Sequence, residues 1–250
     1  MAGMTCASAF ADDPPIAASR PGETEGPIAV PGGFLQVESE IASFTRDKEA
    51  GVTTEGLSLA ATAFRYGLGD SYDAELIVQP YLHAKTSGAG FSNTDSGFGD
   101  VTVRLLKNLM GQDGEGPAVA VIGYVSLPTA SNDLGADRVE GGAILTGSFA
   151  LTDTWGAAWT GGLAARHVGG SDYKAELSVA LQLNHALSDS VTAYAELAAS
   201  RLDGQDTAAT FDVGAAWLTG PTTQVDAGAN FGINDAADDV SVFVGWAQRY

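Results

Sequence analysis

From residue 34 to the C-terminus the chain alternates apolar side chains with polar or small ones, run after run. Over 173–186, Leu177, Val179, Leu181 and Leu183 hold one parity, and Glu176, Ser178, Gln182 and Asn184 the other. Over 191–200 the two sets are Val191, Ala193, Ala195 and Leu197 against Thr192, Tyr194, Glu196 and Ser200. Over 223–233 they are Val225, Ala227, Ala229 and Phe231 against Gln224, Asp226 and Asn230. Side chains two apart share a face of a β-strand, so each run predicts a strand with one apolar face. Twelve runs are legible: 34–46, 54–67, 74–84, 98–108, 117–127, 139–150, 155–167, 173–186, 191–200, 208–217, 223–233 and 240–250.

The breaks between runs are of two kinds. Short turns open at Leu68 (Leu-Gly-Asp-Ser), Leu109, Leu151 (Leu-Thr-Asp-Thr), Leu187 (Leu-Ser-Asp-Ser) and Leu218 (Leu-Thr-Gly-Pro). They recur about every 30–40 residues, room for two strands of about ten residues and one longer loop. Longer polar segments alternate with them, near 47–53, 85–97, 128–138, 168–172, 201–207 and 234–239. This is the layout of an all-β, antiparallel transmembrane β-barrel of about 12 strands, with short periplasmic turns and longer outer loops. Closure satisfies every backbone donor and acceptor in lipid. Trp155, Trp217, Trp246 and Tyr250 fall on the aliphatic parity near the short-turn ends, where a membrane girdle belongs. A soluble β-sandwich binding module would also alternate, with the apolar face in its core. It has no need of the asymmetry in turn length.

The 250 residues are 45% hydrophobic, yet no stretch approaches the roughly 20 apolar residues of a membrane-spanning helix. Acidic residues number 31 against 12 basic, a formal net charge of −19. A chain without a basic face does not neutralise phosphates, which excludes nucleic acid as a partner. Cys6 is the single cysteine, so no intrachain disulfide forms. Ala9-Phe10-Ala11 before Asp12-Asp13 is an A-x-A-type cleavage site, and residues 1–11 read as a truncated signal-peptide remnant. Residues 12–33 hold five prolines and four glycines, which predicts an extended periplasmic N-terminal segment or plug. Residues 34–250 form the barrel, in the outer membrane of a Gram-negative bacterium.

No nucleophile elbow, H-E-x-x-H, P-loop or Cys/His metal spacing is present, and His83, His167 and His185 fall on different strands or strand ends. No enzyme, cofactor or metal is expected. The Asp-rich stretch 234–239 lacks the spaced ligands and the Gly of a dedicated Ca²⁺ loop. The lumen parity carries the chemistry: Glu38, Glu40, Glu75, Asp100, Glu140, Glu176, Glu196, Asp212 and Asp226, with Arg104 and Arg166. Carboxylates so confined must pair with arginine, bind cations or take up protons. Tyr81, Tyr124 and Tyr194 share that parity and offer stacking surfaces to aromatic molecules. The expected partners are outer-membrane lipid, the barrel-assembly machinery and a small-molecule solute. The expected function is passive or facilitated passage of a small neutral or cationic solute, aromatic ones included. A closed-lumen structural or surface-interaction barrel is the alternative.

Three segments carry a family resemblance. Arg20-Pro21-Gly22-Glu23-Thr24-Glu25-Gly26-Pro27, continuing through Val30-Pro31-Gly32-Gly33 to Gln36 and Glu38, resembles the opening of the outer-membrane barrel family of phenol-degradation (meta-pathway) transporters. That family leads into its first strand with a D-R-P…T-E…V-P-G-x-x-Q-x-E stretch; this chain has Ser19 in the Asp position. Gly97-Phe98-Gly99-Asp100 is similar to the family's Gly-x-Gly-Asp strand start, and Arg138-Val139-Glu140-Gly141-Gly142 opens a later strand in a similar way. The resemblance implies an outer-membrane barrel with a transport role, and it singles out Arg20, Pro21, Thr24, Glu25, Pro27, Pro31, Gln36 and Glu38. At the C-terminus Gly245 and Tyr250 fit a barrel-assembly signal, with Gln248 in place of its penultimate aromatic residue.

Overall fold

A computed structural model describes residues 15–114 and 116–250. The signal-peptide expectation over 1–11 lies outside the described residues. The chain enters the wall with β1 (Leu35–Glu49), β2 (Val52–Gly67), β3 (Tyr72–Val78), β4 (Tyr81–Gly88), β5 (Phe91–Gly97) and β6 (Val101–Met110). It continues with β7 (Ala118–Leu127), β8 (Glu140–Ala150), β9 (Trp155–His167) and β10 (Tyr173–Ala186). β11 (Val191–Leu202), β12 (Ala208–Gly220), β13 (Thr223–Gly232) and β14 (Val240–Arg249) complete it.

β1 pairs with both β2 and β14, which closes the sheet. β3 and β4 are successive halves of one long strand, both paired with β2; β5 and β6 are the halves of the next, paired with β4 and β3. The fourteen segments therefore form twelve antiparallel staves of one closed barrel. Alternation decides which way each side chain points. Leu181 is 64% exposed on the outer face, while its neighbour Ala180 is 3% exposed inside.

Two expected loops are strand instead. β1 and β2 run on to a two-residue turn at Ala50-Gly51, both at positive φ (48° and 84°), and β4–β5 form a hairpin through the segment 85–97. Arg46 to Glu49 and Ser92 to Asp95 are polar on both faces, as suits a ribbon with water on either side. The alternation that marks a strand in lipid is absent there.

One row breaks the alternation across four neighbouring staves. The pairs Glu40↔Ala61 and Ala42↔Leu59 flank Ile41 opposite Ala60. Thr62↔Val78 and Leu59↔Tyr81 flank Ala60 opposite Pro80, and Ile77↔Thr102 and Leu82↔Gly97 flank Pro80 opposite Gly99. Each strand carries one extra residue at this row, so the parity that faces inward changes beyond it. Ala60 takes a positive φ of 57° there, Pro80 has no N–H to donate, and Ile41 is a one-residue bulge against β14.

The aromatic residues of the short-turn end form a band. Trp217, Val225, Trp246 and Ser39 lie in one cross-strand row on β12, β13, β14 and β1. Trp155 stacks on His185 with ring centroids 4.1 Å apart. Tyr250 and Leu35 exchange two backbone hydrogen bonds, of 2.8 and 3.2 Å, sealing the termini against each other.

Candidate functional site: a lumen threaded by the N-terminal segment

Residues 15–33 run inside the barrel with almost no regular structure of their own. Their backbone groups need partners, and inward-facing wall side chains supply them. Near the start of the segment, the Ser19 N–H donates to Glu38 Oε2 at 3.0 Å and the Gln36 amide donates to the Ala17 carbonyl at 3.0 Å. Arg20 forms an ion pair with Asp226 at 3.0 Å, and Gln224 donates to the Arg20 carbonyl. In the middle, the N–H groups of Glu23 and Thr24 donate to the Glu196 carboxylate at 2.7 and 2.9 Å. The Glu25 N–H donates to Thr160, the Thr146 hydroxyl donates to the Glu25 carbonyl, and the Glu25 carboxylate pairs with Arg104 at 2.8 Å. Toward the end, Asn108 donates to the Pro27 carbonyl, Gln112 clasps Ala29 through both backbone groups, and the Val30 N–H donates to Asp73 at 2.9 Å.

Arg65 ties the wall to this segment. It bonds Glu38 and Asp73 at 2.8 Å each and donates to the Ile28 carbonyl, with its side chain only 2% exposed. Arg65 and Asp73 were not among the residues that the sequence singled out. The available signal was an arginine standing between Phe64 and Tyr66 in an alternating run. Gln112, Asn108, Thr146, Thr160 and Gln182 also serve the segment, and nothing in their sequence context distinguishes them from ordinary polar strand residues.

Among the acidic and basic lumen candidates, Glu38, Glu40, Glu75, Arg104, Glu140, Arg166, Glu176, Glu196, Asp212 and Asp226 lie at inward positions. They do not line an open bore together. Glu38, Glu196 and Asp226 hold the segment, Glu75 pairs with Arg104, and Arg166 binds Glu140 and Glu176 near the outer mouth. Tyr124 lies against Gly142 and Tyr194 against Gly214 and Gly228, where an added Cβ would collide with the rings. Two assignments are corrected. Tyr81 pairs with outward-facing Leu59 and is 40% exposed outside the barrel, because the extra residue at Pro80 reverses its parity. Asp100 anchors the outer loop: its carboxylate accepts the N–H groups of Thr129, Ala130 and Ala136.

The motif residues all act at the segment. Arg20, Thr24, Glu25, Pro27, Gln36 and Glu38 make the bonds above; the Pro21 carbonyl accepts from Gln182, and the Pro31 carbonyl accepts the Phe34 N–H at 3.1 Å. Two chambers lie on either side of residues 23–25. The one toward the long loops has a volume of 630 Å³ and is lined by Glu23, Tyr124, Arg166, Glu176, Thr210 and Asn230 among others. The one toward the short turns has a volume of 420 Å³; Ile16, Ala18, Pro27, Ala118, Phe149 and Leu218 give it a more apolar lining. Glu25 borders both. Glu23 faces the outer chamber within the ring of the wall, and burial, then Glu196, Glu25 and Glu40, push its carboxyl above the usual carboxylate range.

Residues 18–250 match the model of the family described as "Putative MetA-pathway of phenol degradation". The chain belongs to this family. Among solved structures it is similar to an outer membrane channel from Pseudomonas putida F1, with 15% identity over 92% of this chain and 99% of that one, TM-score 0.67. The translocator domain of autotransporter NalP from Neisseria meningitidis is similar over 88% of this chain and 89% of its own, with 14% identity and TM-score 0.59. The NanC porin is similar over 86% and 98%, with 9% identity and TM-score 0.54. No curated protein sequence matches the chain. At these identities the structures establish the fold, that of an outer-membrane β-barrel.

Proposed function

We propose that this family member is an outer-membrane channel for small neutral or cationic solutes, aromatic molecules included, and that residues 15–33 are its plug. The observation that supports this most directly is the pair of chambers, 630 and 420 Å³, separated by the three residues Glu23-Thr24-Glu25. A solute held in the outer chamber meets Glu23, Glu176 and a wall of hydroxyls, then, past the three residues, a more apolar space. Fixed carboxylates lower the barrier for cations and raise it for anions. Tyr124 gives the outer chamber an aromatic surface for a ring to stack on.

Planar-bilayer recording in a KCl gradient tests the reading. The reversal potential should favour K⁺, and the preference should weaken from about 0.1 M to about 1 M salt as the screening length falls from about 10 to about 3 Å. Removing residues 12–33 should raise the conductance. The number of bonds that pin the segment favours a second reading, a closed structural barrel whose outer loops do the work. If neither the intact nor the shortened protein conducts or admits small phenolic solutes, that second reading replaces the first.

A further inference from the structure

Five acidic side chains are buried among the described residues: Glu38, Asp73, Glu196, Asp212 and Asp226. Four have strong donors. Arg65 serves Glu38 and Asp73, Arg20 serves Asp226, and two backbone N–H groups serve Glu196. Asp212 stands apart. Its Oδ2 accepts the Thr210 hydroxyl at 3.1 Å, and its Oδ1 has no partner among the protein atoms. Neither an N–H group nor a cationic side chain compensates this fully buried carboxylate, which is a costly state for a charge out of water.

Its neighbours repeat the imbalance. Asn230 faces Asp212 across the β12–β13 pairing, and its buried Oδ1 is likewise unpartnered. Tyr194, 6% exposed, reaches from β11 across Gly214 to Gly228, where a Cβ would stand 2.7 Å from its hydroxyl. That hydroxyl, one inward position from Asn230 along β13, has no partner either. Thr24 Oγ1, on the residue whose N–H binds Glu196, is a fourth buried oxygen without one.

We propose that Asp212, Asn230 and Tyr194 form a binding site for a monovalent alkali cation in the lumen wall. Oxygen-only ligands suit a hard cation, and one free carboxylate among neutral oxygens suits a single positive charge; a divalent ion takes more carboxylates. Glu196, next to Asp212 across the β11–β12 pairing, adds negative potential while its own oxygens are occupied. Asn230 and Thr210 line the outer chamber, which gives the ion a route in from solution. A proton shared by Asp212 and Glu196 would satisfy Asp212 and leave Asn230 Oδ1 without a partner; a cation satisfies both. The site does not depend on whether the lumen conducts.

Thallium(I) is a suitable probe, since it replaces K⁺ and scatters anomalously. Crystals of the intact protein grown in thallium(I) acetate should show an anomalous peak between Asp212 and Asn230, lost in the isosteric Asp212→Asn variant. The melting temperature should be higher in KCl or NaCl than in choline chloride of equal ionic strength, and Asn230→Ala should abolish that difference while remaining a folded, SDS-resistant barrel. An absent peak in the intact protein, with equal melting in K⁺ and choline, would overturn the proposal. So would a melting temperature that follows pH and ignores the cation, because Asp212 would then carry a proton.

Discussion

The segment inside the barrel rests on two walls that hold it by opposite chemistry. On β1, β2, β3 and β6 the wall carries its own cations: Arg65 neutralises Glu38 and Asp73, and Arg104 pairs with Glu75. On β11, β12 and β13 the inward charges are Glu196, Asp212 and Asp226; the segment compensates Asp226 through Arg20 and Glu196 through the N–H groups of Glu23 and Thr24, and leaves Asp212 with the Thr210 hydroxyl alone. The first wall can stay internally paired without the segment. The second cannot. Docking of residues 15–33 is therefore part of how the acidic side tolerates its own burial.

The largest expected effect lies on the self-sufficient side. Arg65→Met leaves Glu38 and Asp73 buried with the Ser19 and Val30 N–H groups of the segment in place of their arginine and should cost about 3–5 kcal/mol in urea unfolding of the full chain. A cost near zero would mean that those two N–H groups suffice and that this wall does not rely on its own cation. Leu181→Arg calibrates the scale from the lipid side: it should cost about 2–4 kcal/mol, and the inward Ser178→Arg much less. Equal costs would show the two faces to be reversed. On the dependent side, Arg20→Ala should cost about 1.5–3 kcal/mol, less than the loss of Arg65 because Arg20 is partly exposed and only one acid loses its partner. A spin label at residue 18 should become more mobile in this variant and stay immobile in the parent.

The smallest effect concerns pH. Glu23 has its carboxyl raised in the docked state, so protonation favours docking and that contribution is lost as the pH rises through the raised value. Glu23→Gln should therefore tighten the segment at neutral pH, and the gain should vanish below the ordinary carboxylate value of about 4.3. Spin-label mobility measured from pH 4 to 8 reads this directly, and a gain that persists at pH 4 contradicts the assignment.

The parts of the fold legible in the sequence are those where the two faces of a strand meet different media. β10, β11 and β13 alternate cleanly because lipid lies outside and a polar lumen inside, and their boundaries are legible to within a few residues. The ribbon of β4 and β5 is wet on both sides, so Lys85, Asn93 and Asp95 carry no alternation and read as loop. Tyr81 is misplaced for a related reason: counting by twos assumes an unbroken period, and the extra residue at Pro80 is invisible to it. At the site, parity marks Glu196 and Asp226 as inward-facing. It does not reveal that Glu196 binds the backbone N–H groups of Glu23 and Thr24 or that Asp226 binds the Arg20 side chain, because every residue except proline has an N–H and the segment has no period of its own. The motif of Arg20, Thr24, Glu25 and Gln36 was the one sequence feature that pointed there, and its residues are those that join segment to wall.

The row of Ile41, Ala60, Pro80 and Gly99 has a consequence for how this chain can change length. Each of the four staves carries its extra residue in the same row, so the three ladders between them remain matched, and the one mismatch is the Ile41 bulge against β14. Deleting one of these residues alone would leave that strand one step out with its neighbours, and side chains beyond the row would trade places between membrane and water. Gene variants with a single in-frame codon lost here should fail to assemble, whereas compensated losses across all four staves would restore the match. For inheritance these four distant codons behave as one unit.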